Sequence, residues 1–486
     1  MSTTDPLRIH LSLVSHTNIG KTTLARTLLM RDVGEVADRA HVTETTDDYV
    51  LARGPAGCEL VLWDTPGFGN SVALAKRLSE RSNPVGWFLS EVWDRFTNKA
   101  FWLDQRAVRH IRDTSSVVLY LVNAAERPSV TPYIPAEMQI LSWIGKPVIV
   151  LLNQMGKPRP PEDERAELEL WKSELASYDF VKSVLPMDAF ARCWVQEAAL
   201  FDALAEALPA ESQTTFDTLR TVWIRGRRAV YSSSLDAIAL HVWRQITARE
   251  TVPTPTLKDH MLTMVKHFGL MKKEEDRLSD AQTALSAQAA DSFCALTNAL
   301  IELNGLRGSG ISKEILRRMK TDWELAAYSI DPGSAAAVGT GIGATSGAAV
   351  GAATDFATGG LSLGLGTLIG GLIGAIGGIG AATLYNARHD KSGIEISWSE
   401  HALKGFILEA VLLYLAVAHF GRGRGDWAEG ESPEFWKKAA TDALNAQPMD
   451  FPDLKHMAAE EGLPLLTQRI DSVLRAVFTI LYNRSV

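Results

Sequence analysis

The run Ser15-His16-Thr17-Asn18-Ile19-Gly20-Lys21-Thr22 places a glycine, a lysine and a hydroxyl side together between an apolar stretch and a helix-forming one. Residues of these types in this context grip a polyphosphate. Backbone N–H groups at a helix N-terminus surround phosphate oxygens, and the helix dipole favours the anion. Gly20 lets the backbone approach closely, Lys21 carries charge to the β- and γ-phosphates, and the Thr22 hydroxyl is a Mg²⁺ ligand. The first position of such a loop, usually glycine, is the small residue Ser15. With Thr23, the whole run is assigned to the nucleotide. A second constellation, Asp64-Thr65-Pro66-Gly67, directly follows the apolar run Leu60 to Trp63. A carboxylate at a strand end holds Mg²⁺ through water, and a glycine there offers its N–H to the γ-phosphate and moves as a switch. Asp64 takes the first role and Gly67 the second, so Lys21, Thr22 and Gly67 form the expected catalytic set.

These loops need a sheet to hold them. Ile9 to Val14, Tyr49 to Ala52, Leu60 to Trp63, Val117 to Val122, Pro147 to Leu152 and Val181 to Leu185 read as strands. Gly54-Pro55-Ala56-Gly57 turns the second into the third. Lys21 to Met30, Pro135 to Ile144, Pro161 to Tyr178 and Val195 to Leu208 read as helices. Strand–helix alternation of this kind builds a parallel sheet covered on both faces. The stretch Phe68 to Asp113, carrying Trp87, Phe88, Trp93, Phe96, Phe101 and Trp102, reads as a helical insertion packed on the domain, with a nucleotide-sensitive partner surface as the alternative.

After Leu208 the strand signals fade. Phe216 to Arg249, Leu257 to Leu303, Lys313 to Tyr328, Ser399 to His419, Pro433 to Ala446 and Pro464 to Tyr482 read as helices, the last with its proline at the first helical position. Phe406 to Phe420 is apolar but short and broken by Glu409, which suits a core or interfacial helix.

The chain has 486 residues and a formal net charge of -8. Several domains are expected at that length. An acidic total argues against nucleic acid as a partner, because neutralising phosphates needs a basic surface. The basic clusters Arg225, Arg227 and Arg228, and Arg317, Arg318 and Lys320, read as solvated helix faces, with acidic lipid or RNA as the other reading. The three cysteines, Cys58, Cys193 and Cys294, are far apart. They suggest neither a metal site nor a disulfide framework and fit a reducing cytoplasm. The polar start, Met1 to Pro6, lacks the pattern of a secretory signal.

The two phosphate-site motifs resemble those of the Era-like bacterial GTPases. Thr17 to Thr22 is similar to that branch's Pro-Asn-Val-Gly-Lys-Ser form, and Asp64 to Gly67 to its second switch. More narrowly, most of the chain looks like Era-like GTPases that carry a helical C-terminal domain of unknown function. The resemblance implies a GTP/GDP cycle, and a first-switch threonine on Mg²⁺. Thr46 is the best match, Thr45 the second, and Thr43 a third. It also implies that Asn18 binds K⁺ as a fixed positive charge. Phe68 follows Gly67 where other GTPases orient water with glutamine, so turnover is expected to be slow until a partner, a cation or homodimerisation accelerates it.

Guanine is read in this family by Asn-Lys-x-Asp. Here the corresponding run is Asn153-Gln154-Met155-Gly156. Asn153 fits, Gln154 is placed to pack over the base, and Gly156 has no carboxylate. Asp188, after the last strand, either substitutes for it or merely caps a helix. ATP therefore stays open beside GTP.

The segment 333–384 is almost purely Gly, Ala, Ile, Leu, Thr and Ser. Its glycines recur every fourth residue, at 339, 343, 347 and 351 and at 366, 370, 374 and 378, giving each helix a smooth face. In water such helices are poor, each Gly costing ~1 kcal/mol relative to Ala. Ala335 to Thr354 has the ~20 apolar residues a bilayer requires. A glycine-zipper hairpin in or on a membrane, or against an integral membrane protein, is the leading reading. Burial in a soluble fold and cytosolic self-assembly are the rivals.

The expected fold is therefore an α/β P-loop G domain with a mainly parallel sheet over 1–208, followed by a mainly α-helical region. The latter divides into a helical domain at 209–332, the glycine-rich hairpin at 333–384 and a C-terminal helical region at 385–486. The expected function is a Mg-dependent GTP-hydrolysing switch, cytoplasmic and peripheral to or inserted in the inner face of a membrane. A soluble GTPase of ribosome or tRNA maturation, or a nucleotide-gated structural or pore-forming protein, are the alternatives.

Overall fold

Six apolar runs of the first part form one sheet: β1 (Arg8–Ser15), β2 (Asp47–Arg53), β3 (Glu59–Asp64), β4 (Val117–Asn123), β5 (Val148–Asn153) and β6 (Val181–Pro186). The computed structural model describes residues 7–31, 33, 46–80, 82–90, 99–156, 158–189, 193–253, 269–306, 385–390, 393–398, 400–420 and 433–484. Strand order is β2-β3-β1-β4-β5-β6. All neighbours are parallel except β2 and β3, which a 3₁₀ turn at Pro55–Gly57 joins antiparallel. The central strands are buried on both sides, which is why they read as continuous rather than alternating apolar runs. In β4, Val117, Leu119 and Leu121 enter one core, and Val118, Tyr120 and Val122 the other.

The first core is covered by α1 (Lys21–Leu29) and α7 (Trp194–Ala207). The opposite core is covered by α2 (Ser71–Leu78), α3 (Pro84–Ser90), α4 (Lys99–Thr114), α5 (Tyr133–Ile144) and α6 (Pro161–Leu175). The described part of the insertion is thus helical and packs on the sheet. Phe88 is fully buried, and Trp87 and Phe101 lean on the same core. Trp93 and Phe96 lie outside the described residues.

Two compact units emerge: Met1–Val230 with Ala418–Gly425, and Tyr231–Val417 with Asp426–Val486. The boundary falls inside α8 (Ala210–Thr247). In the first unit the opening turns of α8 extend the first core through Phe216, Leu219 and Trp223. Trp223 stacks on Phe201 at 4.2 Å between ring centroids. Arg227 corrects a sequence expectation. Instead of facing solvent with Arg225 and Arg228, it is buried, pairs with Glu197 at 2.6 Å and donates to the Leu28 carbonyl. A guanidinium can be buried when it is paired and hydrogen-bonded. Arg317, Arg318 and Lys320 lie outside the described residues.

The second unit contains α9 (Gly269–Leu303), α10 (Glu400–Ala418), α11 (Glu434–Ala446), α12 (Phe451–His456) and α13 (Ala459–Tyr482). It also holds a small antiparallel sheet that the sequence reading missed, β7 (Glu250–Pro253), β8 (Tyr385–Asp390) and β9 (Gly393–Trp398), in the order β7-β9-β8. Only β9 carries a period-two signal, in Ile394, Ile396 and Trp398, and it is short. α10 is a core helix, with Leu403, Ile407, Val411 and Tyr414 buried. Pro464 is not the first residue of its helix, as expected, but sits inside α13. Glu460 and Glu461 start the helix at its positive end. So near the start, the proline removes a single hydrogen bond. Among the described residues no helix is long and apolar enough to cross a membrane. The glycine-zipper hairpin at 333–384 and the helix at Lys313 to Tyr328 lie outside them.

Candidate nucleotide and metal site

Parallel strands deliver their C-terminal ends to one edge of the sheet, where ligands of open α/β folds gather. β1 ends at Ser15, β3 at Asp64, β5 at Asn153 and β6 at Pro186. The four loops that begin there carry most of the sequence candidates.

The loop after β1 turns into α1 through Asn18 and Gly20, both left-handed, with φ of 64° and 100°. Glycine is needed at 20 on two counts. Its φ disfavours any side chain, and a Cβ there would stand 2.8 Å from Asn153 Nδ2. Lys21 is buried and donates to Ser15 Oγ at 3.1 Å. The hydroxyl that replaces the usual glycine therefore gives the ammonium a partner within the loop. Burial pulls the Lys21 pKa below its ordinary value, opposed by Asp64 and Glu137.

Thr22 Oγ1 donates to Asp64 Oδ2 at 2.5 Å. The other Asp64 oxygen is buried without a hydrogen-bond partner. Desolvation raises the Asp64 pKa, while Lys21 and Thr22 act against the rise. A buried carboxylate oxygen lacking a protein donor calls for a water or a cation. The hydroxyl of Thr22 and the carboxylate of Asp64 are hard oxygen donors of the kind Mg²⁺ takes alongside phosphate oxygens and water. The residues therefore fit the metal. Thr46 lies just before β2, one residue upstream of Asp47, the register partner of Asp64. Thr43 and Thr45 lie outside the described residues.

Gly67 lies against the first loop. A Cβ there would stand 2.9 Å from Lys21 Nζ and 3.1 Å from Thr17 Cα. Thr65 anchors the approach by donating to the Leu13 carbonyl, and the Phe68 N–H donates to the Ser15 carbonyl at 2.9 Å. Phe68 points into the core rather than toward the site.

At the base-reading end, Asn153 is fully buried. Its Nδ2 donates to the Ile19 carbonyl at 2.6 Å, and its Oδ1 accepts from the Ala189 N–H at 2.8 Å. It thereby joins three of the four loops. Gln154 is left-handed, with its amide 3.4 Å from the Asn18 carbonyl. Gly156 is exposed. Asp188 is buried and accepts from the Met155 N–H at 2.8 Å, while α7 has Cys193 as its N-cap. Thr23 faces inward at the start of α1, its carbonyl taking the Thr27 hydroxyl.

Sequence reasoning missed a buried polar layer behind the phosphate loop. Glu137 of α5 is fully buried, accepting from His16 Nδ1 and from the Tyr120 hydroxyl, each at 2.8 Å. His16 also stacks on Tyr133. Desolvation raises the Glu137 pKa. Asp104 of α4, likewise fully buried, accepts from the Gly69 N–H at 3.0 Å. The signal was a carboxylate on an apolar stripe: Asp104 shares a helix face with Phe101, Val108 and Ile111, and Glu137 lies between Ile134 and Leu141.

The family model described as 50S ribosome-binding GTPase matches residues 10–154. The model described as a domain of unknown function (DUF3482) matches residues 173–460. No curated protein matches the chain. Among solved structures, the chain is similar to Era in complex with MgGDPNP and a segment of 16S ribosomal RNA, at 19% identity and a TM-score of 0.32, over 42% of this chain and 58% of that one. It is also similar to an Aquifex aeolicus Era variant bound to GDP and aluminium fluoride, at 17% identity and a TM-score of 0.31, over 58% of this chain and 89% of that one. A third is a bacterial selenocysteine-specific elongation factor, at 16% identity and a TM-score of 0.27, over 41% of this chain and 28% of that one. The second model covers more than half of the chain, and the chain accordingly belongs to the DUF3482 family, with residues 10–154 matching a GTPase model ahead of that domain.

Proposed function

We propose that this GTPase is a slow, Mg-dependent switch that hydrolyses GTP at the loop 15–22. The observation that carries the reading is the convergence of Lys21, Thr22, Asp64 and Gly67 at one sheet edge, with one buried Asp64 oxygen that accepts no hydrogen bond from the protein. Magnesium, when bound, supplies charge against the β- and γ-phosphate oxygens. The chain's own residues do the rest. The amides from Thr17 to Thr22 and the Lys21 ammonium orient the phosphates, and the Gly67 N–H marks the presence of the third one. Asn153 fixes the base loops, Asp188 accepts from the guanine N1 and N2 hydrogens, and Thr46 would help to hold the metal. With Phe68 turned into the core, no side chain at that position orients the attacking water, which favours slow basal turnover. K⁺ at Asn18, or a second copy of the chain, would supply the acceleration.

The test is nucleotide binding and phosphate release with GTP and ATP in potassium buffer. Lys21→Ala is expected to lose affinity for both nucleotides. Unchanged binding and turnover in that variant would remove the site assignment.

Two destinations for the switch are favoured by different observations. The composition of 333–384 favours a membrane or a membrane protein at the inner face of the bilayer. The description of the family model over residues 10–154 favours ribosomal particles, against the acidic total charge. Co-sedimentation of the full chain with liposomes, compared with ribosomal subunits, separates them.

A further inference from the structure

We propose that Asp104, on α4, is a positioning residue for the second switch, holding Gly67 in place through the backbone amides that follow it. The inference rests on the GTPase reading above and adds a residue that neither phosphate-site motif contains. Two consecutive N–H groups after Gly67 are pinned: that of Phe68 donates to the Ser15 carbonyl, and that of Gly69 to the Asp104 carboxylate, whose charged form the nearby Asn70 N–H also favours. Asn70 is the N-cap of α2, yet its side chain makes no cap hydrogen bond. Asp104 instead holds the residue just before that N-cap, from another helix, and a negative group there suits the positive end of α2. Gly67 is thereby held between a fixed exit and its close approach to Lys21 and Thr17. α4 is tied to its neighbour by Gln105, which donates to the Phe88 carbonyl. The aromatic insertion thus reaches the phosphate site through one carboxylate.

Keeping that carboxylate fully buried is costly, and its Oδ2 has no hydrogen-bond partner. Burial, with Glu137 of α5 beside it, pushes the Asp104 pKa up to about 7, against the pull of the two amides. Among the described residues packed around it, Glu137 is the charged group that faces it. α3 contributes no titratable side chain, the first turn of α2 has no acid, and the histidines of β1 and α4, His10 and His110, meet Trp63 instead. An ionised Asp104 grips the amides more strongly than a neutral one, so hydrolysis should rise with pH through neutrality.

The experiment compares the full chain with Asp104→Asn and Asp104→Ala, measuring fluorescent GDP and GTP affinity and hydrolysis between pH 6 and 8. For Asp104→Ala, kcat is expected to fall about tenfold with GDP affinity unchanged, the loss of one charge-assisted hydrogen bond. Asp104→Asn, which keeps an acceptor of the same shape, should recover part of kcat but lose the pH dependence. Should the alanine variant fail to fold, the asparagine variant's pH profile and its GTP-over-GDP affinity ratio carry the test. Lowered melting temperatures with wild-type kcat, KM and pH profile would overturn the inference, leaving a structural hydrogen bond only. A wild-type chain that retains no nucleotide overturns the GTPase reading itself, whereas wild-type hydrolysis with unaltered Asp104 variants overturns this inference alone.

Discussion

Thr22 Oγ1 donates to Asp64 Oδ2 at 2.5 Å, so the start of α1 and the end of β3 meet at a hydroxyl and a carboxylate. These are the two side chains that would hold a magnesium ion, Thr22 through its hydroxyl and Asp64 through water. Magnesium chelation should therefore speed GDP release from the wild-type chain about tenfold or more, and from Thr22→Ala only about twofold. Stopped-flow release of a fluorescent GDP measures both. An equal response to chelator in the two proteins would place the metal elsewhere.

Asp188 offers a sharper test of base recognition. Guanine donates from N1 and N2, which a carboxylate accepts. Xanthine presents an oxygen at position 2, which an amide N–H matches. Asp188→Asn should weaken GTP about tenfold or more and improve xanthosine triphosphate in return. If the variant leaves the ratio of the two affinities where it was, Asp188 serves only to hold the Met155 N–H.

Asn18 projects from the left-handed corner of the phosphate loop and is exposed there. Exchange of potassium for sodium is expected to slow hydrolysis by the wild-type chain and to leave Asn18→Ala unaffected. Equal wild-type rates in the two salts would dismiss the monovalent ion.

Glu409 gives the second unit a pH dependence of defined sign. Its carboxyl is buried in α10, and desolvation raises its pKa to about 8, only partly offset by Lys437. The unfolded chain ionises this group near its ordinary value, so stability is full below that value and falls as pH rises toward 8. The slope is about 1.4 kcal/mol per pH unit for one proton. Glu409→Gln should flatten it and raise the melting temperature at pH 8. His241 works in the opposite direction. Burial lowers its pKa to about 4, so its contribution is lost as pH falls from its ordinary value toward 4. A melting temperature of Glu409→Gln that tracks the wild type at every pH would show that the carboxyl is ionised in the fold.

The phosphate-site loops were legible because each joins a strand end to a residue type with few other uses there: Gly20 before Lys21, and Asp64 after the apolar run Leu60 to Trp63. The sheet was legible because buried parallel strands are nearly unbroken apolar runs. Asp104 and Glu137 were not, since single-sequence periodicity treats an acid on an apolar stripe as an interruption, and its partners lie far along the chain. Arg227 misled for the converse reason. Three arginines close together look solvated until Glu197 and the Leu28 carbonyl are brought beside one of them. β9 stayed hidden because its partners are polar or proline-ended, leaving Ile394, Ile396 and Trp398 as a lone cue.

The burial of Arg227 bears on where the chain can be cut. A truncated gene product stopping at 208 would leave the Glu197 carboxylate without its counterion, bare the Leu28 carbonyl and strip the indole of Trp223 from Phe201. Such a fragment should express poorly and melt lower than one extended through Val230, since losing one partner of a buried pair costs about 3 kcal/mol or more. Anyone seeking the catalytic half alone should carry the opening turns of α8 along with it.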